Sequence, residues 1–178
     1  MIAGIEKEFG KEAICGSYID VERVSSGSLI LDRALGGGYG LGRLVEIFGH
    51  ESSGKTSLAI HACREVQDMG RSAGYIDTEQ AMDPDYMRAL GVDLSPEKFV
   101  LSQADSAEMA LSIMRRMLDC PDIGIIILDS IAALVPKARI DGEVGDAVIA
   151  LVARLMSAEL PLIAQKAKKN KTLVIFIN

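Results

Sequence analysis

The chain has 178 residues, 49% of them hydrophobic and 25% charged, with a formal net charge of −6, which fits one domain with a sizeable core and leaves no room for a second full one. Its longest apolar runs fall far short of the ~20 residues a membrane span needs, and the acidic start Met1–Phe9 lacks the basic end and apolar run of a secretory signal, so a cytoplasmic protein is expected. The negative charge argues against a general nucleic-acid coat but leaves a local DNA groove possible.

In chain order, Ile2 to about Lys11 reads as a short charged helix and Ala13 to Val24 as an irregular or strand-like lead-in. Ser28 stands where an N-cap belongs, Leu29, Leu31, Ala34 and Leu35 have helical apolar spacing, and Gly36-Gly37-Gly38 stops the turn. Strands and helices then alternate. Strands are expected at Leu44–Phe48, Ala73–Asp77, Phe99–Ser102, Ile123–Asp129 and Thr172–Asn178. Helices are expected at Thr56–Met69, Asp83–Leu90, Ser106–Leu118 and Ala147–Lys169. This order implies an α/β fold with a mainly parallel central sheet flanked by helices and right-handed crossovers. The apolar runs at Ile123–Leu128 and Leu173–Ile177 suit buried parallel strands. Pro161 interrupts the last helical pattern and is expected to kink it. Cys15, Cys63 and Cys120 are odd in number and lack C-x-x-C spacing, which reads as free, mostly buried thiols. The apolar strand ending at Asn178 looks central, so either the natural chain continues or the core is shortened.

Three stretches carry chemistry. Leu44–Phe48 runs into Gly49-His50-Glu51-Ser52-Ser53-Gly54-Lys55-Thr56-Ser57, a G-x-x-x-x-G-K-T loop between a strand and a helix. Its glycines let backbone N–H groups approach phosphate oxygens, and the following helix aims its positive end at the same anion. Lys55 adds a charge for the β/γ-phosphates and Thr56 a hydroxyl for Mg²⁺. Secondly, Gly124-Ile125-Ile126-Ile127-Leu128-Asp129 delivers a carboxylate to the end of a strand, the edge where open α/β sheets bind ligands, and Asp129 can hold Mg²⁺ through water opposite Thr56. Thirdly, Tyr75-Ile76-Asp77-Thr78-Glu79 ends another strand in two acids, and either Glu79 or Asp77 could orient the attacking water.

Together with Ser25-Ser26-Gly27-Ser28-Leu29, Met82-Asp83-Pro84, Asp129-Ser130-Ile131-Ala132-Ala133-Leu134 and Asp141-Gly142-Glu143-Val144-Gly145-Asp146, these stretches resemble the bacterial RecA recombinases in order and spacing over nearly the whole chain. The resemblance implies a P-loop NTPase fold and an ATP- and Mg²⁺-using, DNA-dependent ATPase. Its members polymerise on single-stranded DNA, pair it with a homologous duplex and promote cleavage of an SOS repressor. Residues 1–24 would be a partial N-terminal arm and residues 25–178 the ATP-binding core, incomplete at its C-terminal end. Carried over, Gly49–Ser57 would wrap the phosphates and Asp129 would support Mg²⁺. Glu79 would position the hydrolytic water, and Asp83 and Tyr86 would contact adenine, Tyr86 by stacking. The first DNA-binding loop would include Gly142, Glu143, Val144 and Gly145, with Arg154 touching DNA from the following helix.

The chain departs from the family at Pro161, where a basic residue is usual; Lys166, Lys168, Lys169 and Lys171 stand nearby, an arrangement equally typical of a solvated helix end. In the family Asn178 is followed by a γ-phosphate-sensing glutamine and a second DNA loop, so DNA binding by these residues alone is expected to be weakened. A stand-alone ATP-binding module and a non-catalytic interaction fragment are the alternative readings.

Overall fold

Alternate residues of the buried strands point into two different layers of helix, and this alternation fixes the architecture. The computed structural model describes residues 2–10, 21–142 and 146–178, the side chains of 146–149 excepted. In chain order the elements are α1 (Ile2–Phe9), β1 (Arg23–Val24), α2 (Leu29–Ala34), β2 (Tyr39–Gly40), β3 (Leu44–Ile47), α3 (Lys55–Asp68) and β4 (Ser72–Asp77). They continue with α4 (Pro84–Ala89), β5 (Phe99–Ser102), α5 (Ala107–Leu118), β6 (Ile123–Asp129), α6 (Lys137–Ile140), α7 (Asp146–Asn170) and β7 (Leu173–Ile177). The main sheet has the order β3-β7-β6-β4-β5, and every pairing in it is parallel. β1 and β2 form a separate antiparallel ribbon.

On one face, Ala73, Tyr75, Ile125, Ile127, Leu173, Ile175 and Ile177 pack against Ala59, Ile60, Ala62, Cys63 and Val66 of α3. On the other, Ile76, Ile126, Leu128, Val174 and Phe176 pack against Ala107, Ala110, Leu111 and Met114 of α5 and Ile163 and Ala167 of α7. β6 and β7 are buried along their whole length, which is why their sequences show no alternation. Cutting any of these large side chains to alanine costs about 2–5 kcal/mol.

Register decides what gathers at the carboxyl edge. Asp77 pairs with Asp129, Asp129 with Ile177, and Ile177 with Ile47. The strand ends therefore lie side by side, with the loop after β3 joined to them where the Gly49 N–H donates to the Asn178 carbonyl at 3.2 Å.

The opposite edge is closed by side chains. The Arg71 guanidinium donates to the carbonyls of Pro121, Ile123, Asn170 and Lys171 at 2.6–3.1 Å. Thr172 Oγ1 donates to the Ile123 carbonyl at 2.9 Å, and Asn170 Nδ2 to that of Leu118. Gly124 leaves the room this needs, because a Cβ there would meet Val66 Cγ1 at 2.5 Å and Arg71 Cβ at 2.9 Å.

The expected strands and longer helices occur within one or two residues of their sequence bounds, the ordinary scatter of frayed ends. Residues 11–20, which include most of the expected lead-in and Cys15, lie outside the described residues. Ser28 caps α2 as expected, accepting from the Leu31 N–H. The short β2 and α6 and a 3-10 turn at Ile131–Ala133 were not foreseen, because elements of two to four residues carry no readable period. α7 runs through Pro161. The missing N–H would have met the Ser157 carbonyl, and both residues sit on the exposed face, where water can serve that oxygen. Cys63 is buried and Cys120 half-buried, both free, and burial pushes the Cys63 thiol up to about 12.

Candidate functional site

At the carboxyl edge the Gly49–Ser57 loop turns from β3 into α3. Gly54, the N-cap of α3, has φ 89°, a left-handed conformation that glycine adopts without strain, and no side chain caps the helix. The N–H of Leu58 is bonded to the Gly54 carbonyl, so the N–H groups of Lys55, Thr56 and Ser57 precede the helical ladder. Two neighbouring helices are treated differently: Asp83 caps α4 and Ser106 caps α5 with their side chains. An uncapped N-terminus of a fourteen-residue helix is a ready anion site. Gly49 contributes through its lack of a side chain, since a Cβ would lie 3.2 Å from Ser53 Oγ. Lys55 Nζ donates to the carbonyls of Gly49 (2.7 Å) and His50 (2.9 Å), which holds the ammonium over the loop.

The two distant motifs meet. Thr56 Oγ1 donates to Asp129 Oδ2 at 2.9 Å across 73 residues of sequence. A hydroxyl and a carboxylate side by side are hard oxygen donors of the kind Mg²⁺ takes, so this pair fits that ion. Burial raises the Asp129 carboxyl above its ordinary value, against the bonds from Tyr75 and Thr56 that pull it down; the charges of Glu79 and Asp77 push it up further. The Tyr75 hydroxyl donates to the same Asp129 Oδ2 at 2.7 Å, and burial, with Asp129 beside it, keeps that phenol neutral. Sequence reading missed this role, although Tyr75 sits two residues before Asp77 on a buried strand, and a buried tyrosine needs a partner for its hydroxyl.

The two acids at the end of β4, Asp77 in the strand and Glu79 just beyond it, separate cleanly. Asp77 is 2% exposed, and its carboxylate accepts from the N–H groups of Ala81 and Met82 at 3.3 and 3.1 Å. It organises the loop and has little left to offer a water. Glu79 is exposed on that loop, held by the Ser130 hydroxyl at 2.5 Å. Thr78 locks the neighbouring strand end: its hydroxyl donates to the Ser130 carbonyl and accepts from the Ser130 N–H, each at 2.8 Å. One pocket is lined by Thr56, Tyr75, Glu79, Asp83, Tyr86 and Asp129 among others. Asp83 spends Oδ1 on the N–H groups of Asp85 and Tyr86, and Tyr86, 43% exposed, shares a 2.8 Å hydrogen bond between its hydroxyl and Ser57 Oγ.

Of the expected DNA-contacting residues, those the structure describes, Gly142 and Arg154, do not line this pocket. Gly142 follows α6, Arg154 is exposed on α7, and Glu143, Val144 and Gly145 lie outside the described residues. Of the lysines near the end of α7, Lys166 pairs with Asp119 and Lys171 with Glu22.

The chain is similar to known proteins over nearly its whole length. The profile of the RecA N-terminal domain matches residues 1–178. The chain is 51% identical over 179 residues to Protein RecA of Latilactobacillus sakei, covering 98% of this chain and 50% of that one. It is 50% identical over 182 residues to Protein RecA of Limosilactobacillus reuteri, covering 99% and 50%. Protein RecA of Rippkaea orientalis is 48% identical over 178 residues, with 98% and 50% covered. The chain thus spans about half the length of the curated relatives it matches.

Proposed function

The chain belongs to the RecA family, and on that premise we propose that residues 25–178 form the ATP- and Mg²⁺-binding core of a DNA-dependent ATPase of the recombinase type, with residues 1–24 as its arm. The observation that carries the reading is the Thr56–Asp129 hydrogen bond beside the uncapped start of α3, with Glu79 in the same pocket. The Gly49–Ser57 loop, with His50, Glu51, Ser52 and Ser53, wraps the phosphates, the N–H groups of Lys55, Thr56 and Ser57 at the start of α3 point at them, and Lys55 leaves the loop carbonyls to pair with the β/γ oxygens. Thr56 and Asp129 hold the metal, Asp129 through water. When bound, Mg²⁺ neutralises charge on the β- and γ-phosphates. Glu79, oriented by Ser130, positions the attacking water and accepts its proton. Tyr86 stacks on the base, with Asp83 beside it.

In the longer proteins of this family the same core would serve homologous recombination, DNA repair and the SOS response in the cytoplasm. Its partners would be single-stranded DNA through Gly142–Gly145 and Arg154, further copies in a filament, and the SOS repressor. Self-association is supported by two surfaces. α1 buries none of its residues, with Ile2 and Phe9 exposed, and β5 is an open sheet edge with Val100 and Leu101 exposed. Among the described residues no helix is long and apolar enough to cross a membrane.

Glu79→Gln tests the reading. It should leave the affinity for a fluorescent ATP analogue in Mg²⁺ within about twofold of the parent while slowing phosphate release by about a hundredfold, the low end of a general base's contribution. Equal loss of both would make Glu79 structural, and no Mg²⁺-dependent binding by the parent would refute the nucleotide site itself.

A further inference from the structure

The roles above use one hydrogen-bond donor on Asp129, that of Thr56, and leave a second unexplained. Tyr75 lies on β4 under α3, 2% exposed, with its ring 6.2 Å from that of Phe99. A phenylalanine would fill the same apolar space, so packing accounts for the ring and not for the hydroxyl. That hydroxyl reaches Asp129 Oδ2 at 2.7 Å, the oxygen that also accepts from Thr56 at 2.9 Å. Two donors therefore converge on one carboxylate oxygen. Among the described residues Oδ1 receives no donor, yet it is not one of the buried orphaned atoms, so it reaches the pocket surface. The carboxylate is thereby clamped in one orientation, with Oδ2 tied to the protein and Oδ1 facing the cleft.

The two clamps are not equivalent. Thr56 sits on the phosphate-binding helix, and a hydroxyl that coordinates a cation gives up a lone pair and shifts toward it. Tyr75 comes from a buried strand paired with β6 itself, with Asp77 and Asp129 in register two residues further on. Its grip on Asp129 is independent of anything that binds at the loop.

Resting on the nucleotide-site reading, we propose that Tyr75 is a positioning residue for the metal: its buried hydroxyl holds Asp129 Oδ2 so that Oδ1 meets the hydration shell of Mg²⁺. Groups that orient a metal's ligands from behind set affinity for the ion without touching it.

The test compares the affinity for a fluorescent ATP analogue in saturating Mg²⁺ with that in EDTA, each variant serving as its own reference for folding. Tyr75→Phe should lower the ratio of the two affinities about three- to tenfold and raise the Mg²⁺ concentration for half-maximal effect by the same factor, at or just below the roughly tenfold lower end of what such outer partners carry. In an Asp129→Asn background, adding Tyr75→Phe should change the ratio no further, because the two act through one carboxylate. A Tyr75→Phe ratio within about 1.5-fold of the parent, while Asp129→Asn alone weakens the Mg²⁺ effect about tenfold, would overturn the role of Tyr75 and leave the site reading standing. If Asp129→Asn leaves the Mg²⁺ effect intact, the site reading fails first, and the role of Tyr75 with it.

Discussion

The two edges of the same parallel sheet spend their polar groups in opposite ways. At the amino edge, Arg71 donates to four carbonyls from two segments, Thr172 adds a second donor to one of them, that of Ile123, and Asn170 closes a fifth, that of Leu118. At the carboxyl edge, α3 begins without a side-chain cap, the Asp129 carboxyl is pushed up by burial, and Lys55 leans on the carbonyls of its own loop. One edge satisfies its groups within the chain and gains stability. The other keeps donors and charge exposed to a partner and loses some.

Substitutions should separate the two. The largest effect is expected at the amino edge: Arg71→Ala strands several carbonyls and should lower unfolding stability in urea by about 3–5 kcal/mol, with nucleotide affinity of the folded fraction unchanged. A stability loss under about 1 kcal/mol would mean that water replaces the guanidinium there.

Lys55→Ala should do the reverse. ATP-analogue affinity should fall about a hundredfold, the scale of one or two charge-assisted bonds, while the melting midpoint stays near the parent's, because its present partners are loop carbonyls on an exposed turn. A large drop in midpoint would erase the contrast.

Asp129→Asn should weaken Mg²⁺-dependent binding about tenfold and at the same time raise the thermal midpoint at neutral pH. The folded carboxyl titrates above the unfolded value of 3.8. Its contribution to stability is therefore fully present below 3.8 and lost as pH rises through the raised folded value. The advantage of the asparagine should accordingly shrink as pH falls through that window, which melts across a pH series would reveal. The smallest effect is Thr172→Val, which should cost about 1 kcal/mol through the lost bond to the Ile123 carbonyl and leave binding alone.

Much of this contrast was legible in the sequence. The Gly49–Ser57 loop, the apolar run into Asp129 and the acids after Tyr75 each stand at the end of a strand, and one-dimensional patterning locates strand ends well. Spacing alone left Asp77 and Glu79 open and only the family resemblance favoured Glu79; that Asp77 is the carboxylate that turns back to cap the 78–82 loop depends on tertiary structure. Arg71 gave no signal either: its four acceptors lie 50 to 100 residues away.

What the sequence determined by itself is therefore local and periodic: which segments are strands or helices, which loop can wrap an anion, and which acids end at the sheet's edge. Backbone conformation and side-chain alternation act over a few residues, so a chain read in order is enough for them. The tertiary structure alone decided the pairings: Thr56 and Tyr75 on one oxygen of Asp129, Ser130 on Glu79, Arg71 on the far edge. Those follow from strand order and register, which place β4, β6 and β7 side by side by burying both faces at once, and burial is a property of the whole fold.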